Sequence, residues 1–205
     1  AQQKLNEYAS PMNDRYATVN PAANAGLVEG MKGFFNPTDT ISRQFKQGMM
    51  GTGVLGYDEI NMSQSVRQFT TGSRSLTDTI LVNTAVSTQG ATTISLDGGT
   101  GSATVLVGDV FTVANVYSVN PQTRESTGSL QQFVVTAANT ASSGAWTSIA
   151  VQPAMYTSGN ALATINAFPA DNAAVTFIGV ASTAYPQNLV YQKDAITFAT
   201  ADLLL

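Results

Sequence analysis

The uneven distribution of charge along the chain most restricts what it can fold into. Residues 75–188 carry six charged side chains, five acids and the single base Arg124. Residues 1–74 carry seven bases and six acids. Since so large a change of composition within one chain indicates a change of structural unit, the sequence predicts two units.

The stretch of low charge has the pattern of an antiparallel β domain. Runs rich in β-branched and aromatic residues alternate there with Gly, Pro, Asn, Asp and Ser at turn positions. Short strands at this spacing are typical of a barrel or a sandwich. Strands are predicted at residues 80–82, 93–96, 103–107, 110–114, 116–119, 132–136, 146–151 and 175–180. The predicted core residues are Phe111, Phe133, Val135, Trp146, Ile149 and Phe177.

The segment before this domain begins with a helix-like pattern. Ala1, Leu5 and Tyr8 recur at the spacing of one helix face, which predicts a helix that ends near Pro11. Residues 16–19 then have the composition of a short strand. Helix and strand are therefore mixed in this part of the chain.

A second helix is marked by its start signal, Asn20-Pro21. Asparagine caps helix N-termini and proline suits the first turn, so a helix is predicted over residues 22–31. Residues 39–50 fit either a loop or a polar helix. The tail, residues 189–205, regains charge and has a strand pattern at residues 196–198. The tail thus predicts a return to the first unit, with the β domain inserted between.

Composition excludes most catalytic chemistry. The chain has no histidine and no cysteine, so it cannot assemble a Ser-His-Asp or Cys-His nucleophile, a Cys/His metal site or a disulfide. Its net charge of −4 gives no general attraction to nucleic acid or to anionic membranes. We therefore expect no enzyme activity, no cofactor and no membrane partner.

Two motifs have functional and structural interpretations. Residues 51–56, Gly-Thr-Gly-Val-Leu-Gly, match the dinucleotide-binding pattern, but a polar segment precedes them and no apolar helix follows. We interpret them as a loop. Asp58 and Glu59 are adjacent and would point apart in a strand, so they do not form a glycosidase pair. We interpret both as solvated.

The charged residues of the first unit are candidates for subunit contacts. Its bases are balanced by acids, so a salt-paired surface or a contact between subunits is favoured over a phosphate-binding patch. The neutral polar surface of the β domain suits packing against other copies, because burying an ion costs several kcal/mol. The same surface would also suit a receptor-binding module. The candidate interface residues are Arg15, Asp39, Arg43, Lys46, Asp58 and Arg67.

The order of several short motifs carries a family resemblance. The first unit contains Arg15-Tyr-Ala-Thr-Val-Asn-Pro21, Gly33-Phe-Phe-Asn-Pro37 and Gly53-Val-Leu-Gly-Tyr-Asp58. The β domain contains Val107-Gly-Asp-Val-Phe111 and Gly128-Ser-Leu-Gln-Gln-Phe-Val-Val135. In this order the motifs resemble the coat protein family of short-tailed bacteriophages such as P22.

The resemblance implies an α+β fold, a Hong Kong 97-type capsid fold segment of mixed helix and strand. An inserted antiparallel six-stranded β-barrel, the I-domain, interrupts it. Residues 1–74 would be the later part of the peripheral domain, residues 75–188 the I-domain and residues 189–205 the start of the axial domain. The remaining parts of such a subunit lie outside the sequence, so we expect this chain to be a segment of a longer protein.

The resemblance also implies function and partners. Subunits of this family have no catalytic or cofactor site, and they assemble into hexamers and pentamers of an icosahedral shell. A scaffolding protein and a portal take part, and the shell encloses phage DNA without sequence-specific binding. The expected location is the virion capsid, assembled in the cytoplasm of the bacterial host.

The sequence departs from some relatives in one loop. Residues 87–91 are short and neutral where those relatives have a long charged loop that reaches a neighbouring capsomer, so that contact is not expected. Covalent crosslinking is not supported either, because Lys4, Lys32, Lys46 and Lys193 lie in no matching motif. The alternative function is a phage tail or adhesin β-domain that binds host glycan, and an Asp/Glu enzyme is the weakest interpretation.

Overall fold

The structure, a computed structural model, describes residues 2–31, 51–74 and 78–197. The chain divides into two compact units. The first comprises Ala1–Asn6, Ser10–Arg67 and Pro186–Leu205, and the second comprises Glu7–Ala9 and Gln68–Tyr185. The predicted segment 39–50 lies outside the described residues.

Strands outnumber helices in the described part of the chain. The helices are α1 (Gln2–Glu7) and α2 (Pro21–Met31), and a short 3-10 helix spans Lys193–Ala195. The strands are β1 (Arg15–Val19), β2 (Gly51–Val54), β3 (Tyr57–Met62), β4 (Gln68–Thr70), β5 (Leu81–Val82), β6 (Ala91–Asp97), β7 (Thr104–Val105), β8 (Val110–Val119), β9 (Ser126–Val135), β10 (Asn139–Thr140), β11 (Trp146–Met155), β12 (Val175–Phe177), β13 (Ala184–Pro186) and β14 (Leu189–Gln192).

The first unit contains a four-stranded mixed sheet in the order β14-β1-β3-β2. Strand β1 pairs in parallel with β3 and antiparallel with β14. Side chains alternate between the faces of a strand, and β1 accordingly buries Ala17 and Val19, next to Ile60 of β3. Leu27 and Val28 of α2 pack against this small core.

The predicted start of α2 is confirmed. The Asn20 side-chain oxygen accepts a hydrogen bond from the Ala23 N–H at 3.1 Å, and the helix begins at Pro21, one residue earlier than predicted. The cap satisfies one of the N–H groups that a helix N-terminus leaves without a partner.

Replacing Asn20 with alanine is expected to lower the free energy of unfolding by about 1 kcal/mol, because the cap is lost. Asn20→Asp keeps an acceptor at the same position and should stay within a few tenths of a kcal/mol of the original. Urea denaturation followed by far-UV circular dichroism measures both. Equal stability of the Asn20→Ala and Asn20→Asp variants would show that the cap contributes nothing.

The second unit contains a six-stranded sheet in the order β12-β8-β9-β11-β6-β5. Every neighbouring pair in it is antiparallel. The two ends of the sheet meet: Leu81 forms a bridge with Ala174, and the Val175 N–H donates to the Ile80 carbonyl at 2.9 Å. The sheet is therefore a nearly closed six-stranded antiparallel barrel, as the family resemblance implied.

The barrel interior holds most of the predicted core. Five of the six predicted residues are buried, while Phe177 is partly buried with its ring centre 5.2 Å from that of Phe111. Trp146 is fully buried, and its indole N–H donates to the Ala103 carbonyl at 3.1 Å. A buried indole needs such a partner, since an unpaired N–H in the core is costly.

Several predicted elements differ from the structure. Residues 110–114 and 116–119 form one strand, β8, which continues through Asn115 at a φ of 63°. Helix α1 ends at Glu7 rather than near Pro11. The predicted strand at residues 196–198 is wrong over its described part, since β14 ends at Gln192 and a 3-10 helix follows.

The predicted loop at residues 51–56 is also wrong. Gly51–Val54 is strand β2, and it pairs with β3 through a two-residue turn at Leu55 and Gly56. Both turn residues have positive φ, 55° and 76°, which is the geometry of a tight type I′ hairpin. Gly56 adopts the positive φ of the second turn position without strain, which permits a tight hairpin where the glycine pattern of residues 51–56 was interpreted as a loop.

Candidate functional site

Three of the six candidate interface residues lie in the described part of the chain. They are Arg15, Asp58 and Arg67. Asp39, Arg43 and Lys46 lie outside the described residues. Asp58 and Arg67 are exposed, whereas Arg15 is only 2% exposed.

The Arg15 side chain is used within its own unit. Its Nε donates to the Pro11 carbonyl, its Nη1 to Asn6 Oδ1 and its Nη2 to the Ser10 carbonyl, each at 2.7 Å. The guanidinium thereby ties the end of α1 and the residues that follow it to the start of β1. A contact between subunits through this side chain would have to be indirect, through the segment that it holds.

The structure brings Arg15 and Asp58 together through the backbone. The Arg15 N–H donates to Asp58 Oδ2 at 2.8 Å, where β1 and β3 run side by side. The Arg67 carbonyl accepts a hydrogen bond from the Gln187 N–H at 2.9 Å. The interface role of all six candidates stays a prediction.

The second unit contains a buried ion pair that the sequence did not indicate. Arg74 Nη1 lies 2.9 Å from Asp109 Oδ1, and the two side chains are 2% and 0% exposed. Asp109 Oδ2 also accepts hydrogen bonds from the N–H groups of Gly72 at 3.1 Å and Leu106 at 2.8 Å. The carboxylate is therefore fully paired, as a buried charge must be.

Arg74 also contacts the far end of the barrel sequence. Its guanidinium carbon lies 4.3 Å from the centre of the Phe177 ring, and its Nη2 donates to the Ile178 carbonyl at 3.4 Å. A cation over an aromatic face is favourable. Arg74 thus links the segment that enters the barrel with the segment that leaves it.

We call these two segments, residues 68–74 and 178–186, the neck. Strands β4 and β13 pair within it. Thr71 Oγ1 donates to the Val180 carbonyl at 2.6 Å, and the Ser182 N–H donates to the Gly72 carbonyl at 3.0 Å. The neck lies at the two ends of the long segment Gln68–Tyr185 of the second unit. The predicted bounds of the inserted domain, residues 75–188, stay a prediction.

A cavity of about 230 Å³ opens beside β6 and β11 of the barrel. Its lining is neutral and rich in hydroxyl groups, among them those of Thr84, Ser87, Thr93 and Thr147. Within the described residues, no three or more acids lie together as a metal site would require. The helices of the described part are all too short or too polar to cross a membrane.

Residues 3–205 match the family model of the P22 coat protein, gene protein 5. The chain belongs to the P22 coat protein family. Among solved structures, the I-domain of the CUS-3 coat protein is similar at 26% identity, with a TM-score of 0.37. That match covers 50% of this chain and 96% of the solved one. Among curated proteins, none matches the chain.

Membership of the P22 coat protein family confirms the predicted family and function class. The protein is a structural capsid protein of a bacteriophage, and its place is the capsid of the virion. Coat proteins of this family assemble with copies of themselves into a shell. The match does not favour the alternative of a tail or adhesin β-domain that binds glycan.

Proposed function

We propose that this chain is part of the major capsid protein of a bacteriophage and builds an icosahedral shell of hexamers and pentamers. The family match over residues 3–205 carries the proposal. The inserted antiparallel barrel supports it. The subunit catalyses no reaction and holds no cofactor; its activity is assembly.

Each unit is assigned a place in a Hong Kong 97-type subunit. The first unit, which the sequence placed at residues 1–74, belongs to the peripheral domain. The barrel is the I-domain, predicted at residues 75–188, and residues 189–205 begin the axial domain. The return of the chain to the first sheet supports insertion of the barrel within the first unit, since β14 pairs with β1.

Assembly proceeds through many weak contacts rather than through one strong site. The described surface of the barrel is mostly neutral and polar, so burying it between subunits avoids the cost of desolvating ions. Apolar area contributes about 25 cal/mol per Å² at such contacts. Because each subunit repeats these contacts, small contributions sum to a stable shell.

Partners follow from the same assignment. A scaffolding protein guides assembly around a portal, and DNA fills the shell without sequence-specific binding. The net charge of −4 supports enclosure of DNA rather than attraction to it. Assembly takes place in the cytoplasm of the bacterial host, before the capsid becomes part of the virion.

Negative-stain electron microscopy of the full-length gene product, expressed with and without its scaffolding protein, tests the proposal. Closed shells of uniform size are expected. Discrete monomers that never assemble would contradict it. Binding of the isolated barrel to a glycan array would instead favour the adhesin alternative.

We infer that the barrel also stabilises the subunit internally. In the described part of the chain, its core cluster contains 18 buried hydrophobic residues, against three in the first unit. Most of the apolar burial that stabilises a fold therefore lies in the barrel. A first unit with so small a core depends on other parts of the subunit for its stability.

Deleting residues 68–185 is expected to reduce the yield of soluble folded subunit and of shells severalfold. A two-residue linker suffices, since the Arg67 carbonyl and the Gln187 N–H are 2.9 Å apart. Soluble yield and shell counts by microscopy measure the effect, with a second variant that carries a longer Gly-Ser linker as control. Unimpaired folding and assembly of the deleted protein would contradict a stabilising role.

A further inference from the structure

The turn between β8 and β9, residues 120–125, places two opposite charges side by side on the barrel surface. Arg124 and Glu125 are both exposed. The second unit, Gln68–Tyr185, has two bases, and the other, Arg74, is buried against Asp109. Arg124 is therefore the exposed cation of this unit, within the part of the chain that the structure describes.

Backbone hydrogen bonds hold this turn in one conformation. The Arg124 N–H donates to the Asn120 carbonyl, and the Asn120 N–H donates to the Glu125 carbonyl, each at 2.9 Å. Arg124 adopts a left-handed φ of 62°, which a non-glycine residue keeps only when its surroundings require it. The two side chains consequently start from fixed positions.

The charges of this turn are not paired within the described residues. Arg124 Nε donates to the Pro121 carbonyl at 3.1 Å and Nη1 to the Asn160 carbonyl at 3.3 Å. Both acceptors are neutral, and a guanidinium has five N–H groups, so donors remain available. Across residues 2–31, 51–74 and 78–197, neither Arg124 nor Glu125 forms an ion pair.

The loop that Arg124 binds carries an exposed apolar side chain. Arg124 binds the carbonyl of Asn160, and two residues further along the chain Leu162 is 64% exposed. The Leu162 N–H donates to Asn160 Oδ1 at 2.9 Å, which fixes the loop that carries it. Together, Pro121, Arg124, Glu125 and Leu162 form what we call the turn patch.

We propose that the turn patch is a contact between two copies of this chain related by a two-fold axis, with Arg124 of one copy opposite Glu125 of the other. A two-fold contact uses the same patch on both sides, so it needs a self-complementary surface. Adjacent opposite charges beside an apolar side chain meet that need. A second barrel also has no other exposed cation to offer to Glu125 within its described residues.

The inference rests on the proposed function, that copies of the chain build a shell, and it names one contact of that shell. Exposed ion pairs are individually weak. A shell repeats the contact many times, so charge reversal at this patch is expected to have a measurable effect on assembly.

Charge reversal tests the contact. Arg124→Glu or Glu125→Arg alone places like charges across the axis and should raise the critical concentration for shell assembly about tenfold. The double variant Arg124→Glu/Glu125→Arg restores opposite charges and should return to within about threefold of the original protein. Light scattering with purified subunits measures the critical concentration, and thermal melting of each subunit checks that it is folded.

The double variant distinguishes an effect of charge between copies from an effect of hydrogen bonds lost within one copy. Loss of the Arg124 bonds to Pro121 and Asn160 is not repaired by Glu125→Arg, so rescue identifies charge pairing between copies. Normal assembly of both single variants overturns the proposal, and so does impaired assembly that the double variant fails to rescue. Absence of shells from the original protein would instead contradict the proposed function.

A cysteine crosslink tests the geometry independently. The chain has no cysteine, so Thr123→Cys in the turn forms a disulfide only between copies. A two-fold contact predicts covalent dimers on oxidation of assembled shells, without longer ladders. Ser148→Cys, an exposed position on β11, is the matched control. Dimers from Thr123→Cys no more abundant than those from Ser148→Cys would overturn the contact.

Discussion

Replacing Gly72 with alanine is expected to lower the free energy of unfolding of the barrel by about 3 kcal/mol. An added Cβ would overlap the Thr104 carbonyl oxygen and lie 2.8 Å from its carbon and 2.9 Å from the Val105 Cα. These are backbone atoms, which no rotamer change can move aside. Overpacking against a fixed neighbour typically costs about 1–3 kcal/mol. The Gly72 N–H also donates to Asp109, so any shift weakens that bond as well.

Urea denaturation followed by tryptophan fluorescence measures this effect. Trp146 is the only tryptophan and lies in the barrel core, so its emission reports unfolding of the barrel. Gly128→Ala is the matched control, because Gly128 has open space around it and only a φ of 75° to oppose a side chain. It should cost about 1 kcal/mol. Equal losses of stability for the two variants would show that the close approach of the Thr104 backbone to Gly72 adds nothing to the effect of the substitution.

Breaking the buried pair of Arg74 and Asp109 is expected to cost about 3–5 kcal/mol. Arg74→Met leaves the Asp109 carboxylate buried with only the N–H groups of Gly72 and Leu106 as partners. Asp109→Asn leaves the guanidinium buried without its counter-ion. In both variants an uncompensated charge stays in a site with almost no solvent access, and this lowers the free energy of unfolding strongly.

The double variant Arg74→Met/Asp109→Asn distinguishes pairing from simple loss of packing. Neither charge remains buried alone in it, so its loss of stability should be smaller than the sum of the two single losses by at least about 1 kcal/mol. Urea denaturation followed by the fluorescence of Trp146 measures all three variants. Strict additivity would mean that Arg74 and Asp109 stabilise the barrel independently of each other.

The sequence predicted those elements that depend on residues close together along the chain. The capping Asn20 and the following proline located α2, because a helix start depends on residues that are neighbours in sequence. Runs of β-branched and aromatic residues between turn residues located parts of the long barrel strands and five of the six buried core residues. The family could be recognised for a related reason, since the order of short motifs is itself a property of the sequence.

Contacts between distant segments could not be predicted in this way. Arg74 and Asp109 are 35 residues apart, and nothing in the residues around either one indicates the other. The Arg15 guanidinium binds backbone carbonyls, which every residue carries, so no pattern of side chains could reveal its burial. The Arg15 contacts and the neck need the three-dimensional arrangement.

The closure of the barrel limits strand pairing between neighbouring subunits. Subunits on a shell meet one another at very high local concentration, where an open strand edge would recruit strands from its neighbours. The bridge between Leu81 and Ala174 joins the two outer strands of the six-stranded sheet and leaves little of their backbone to pair elsewhere. Strand exchange between neighbouring subunits is therefore disfavoured at this seam.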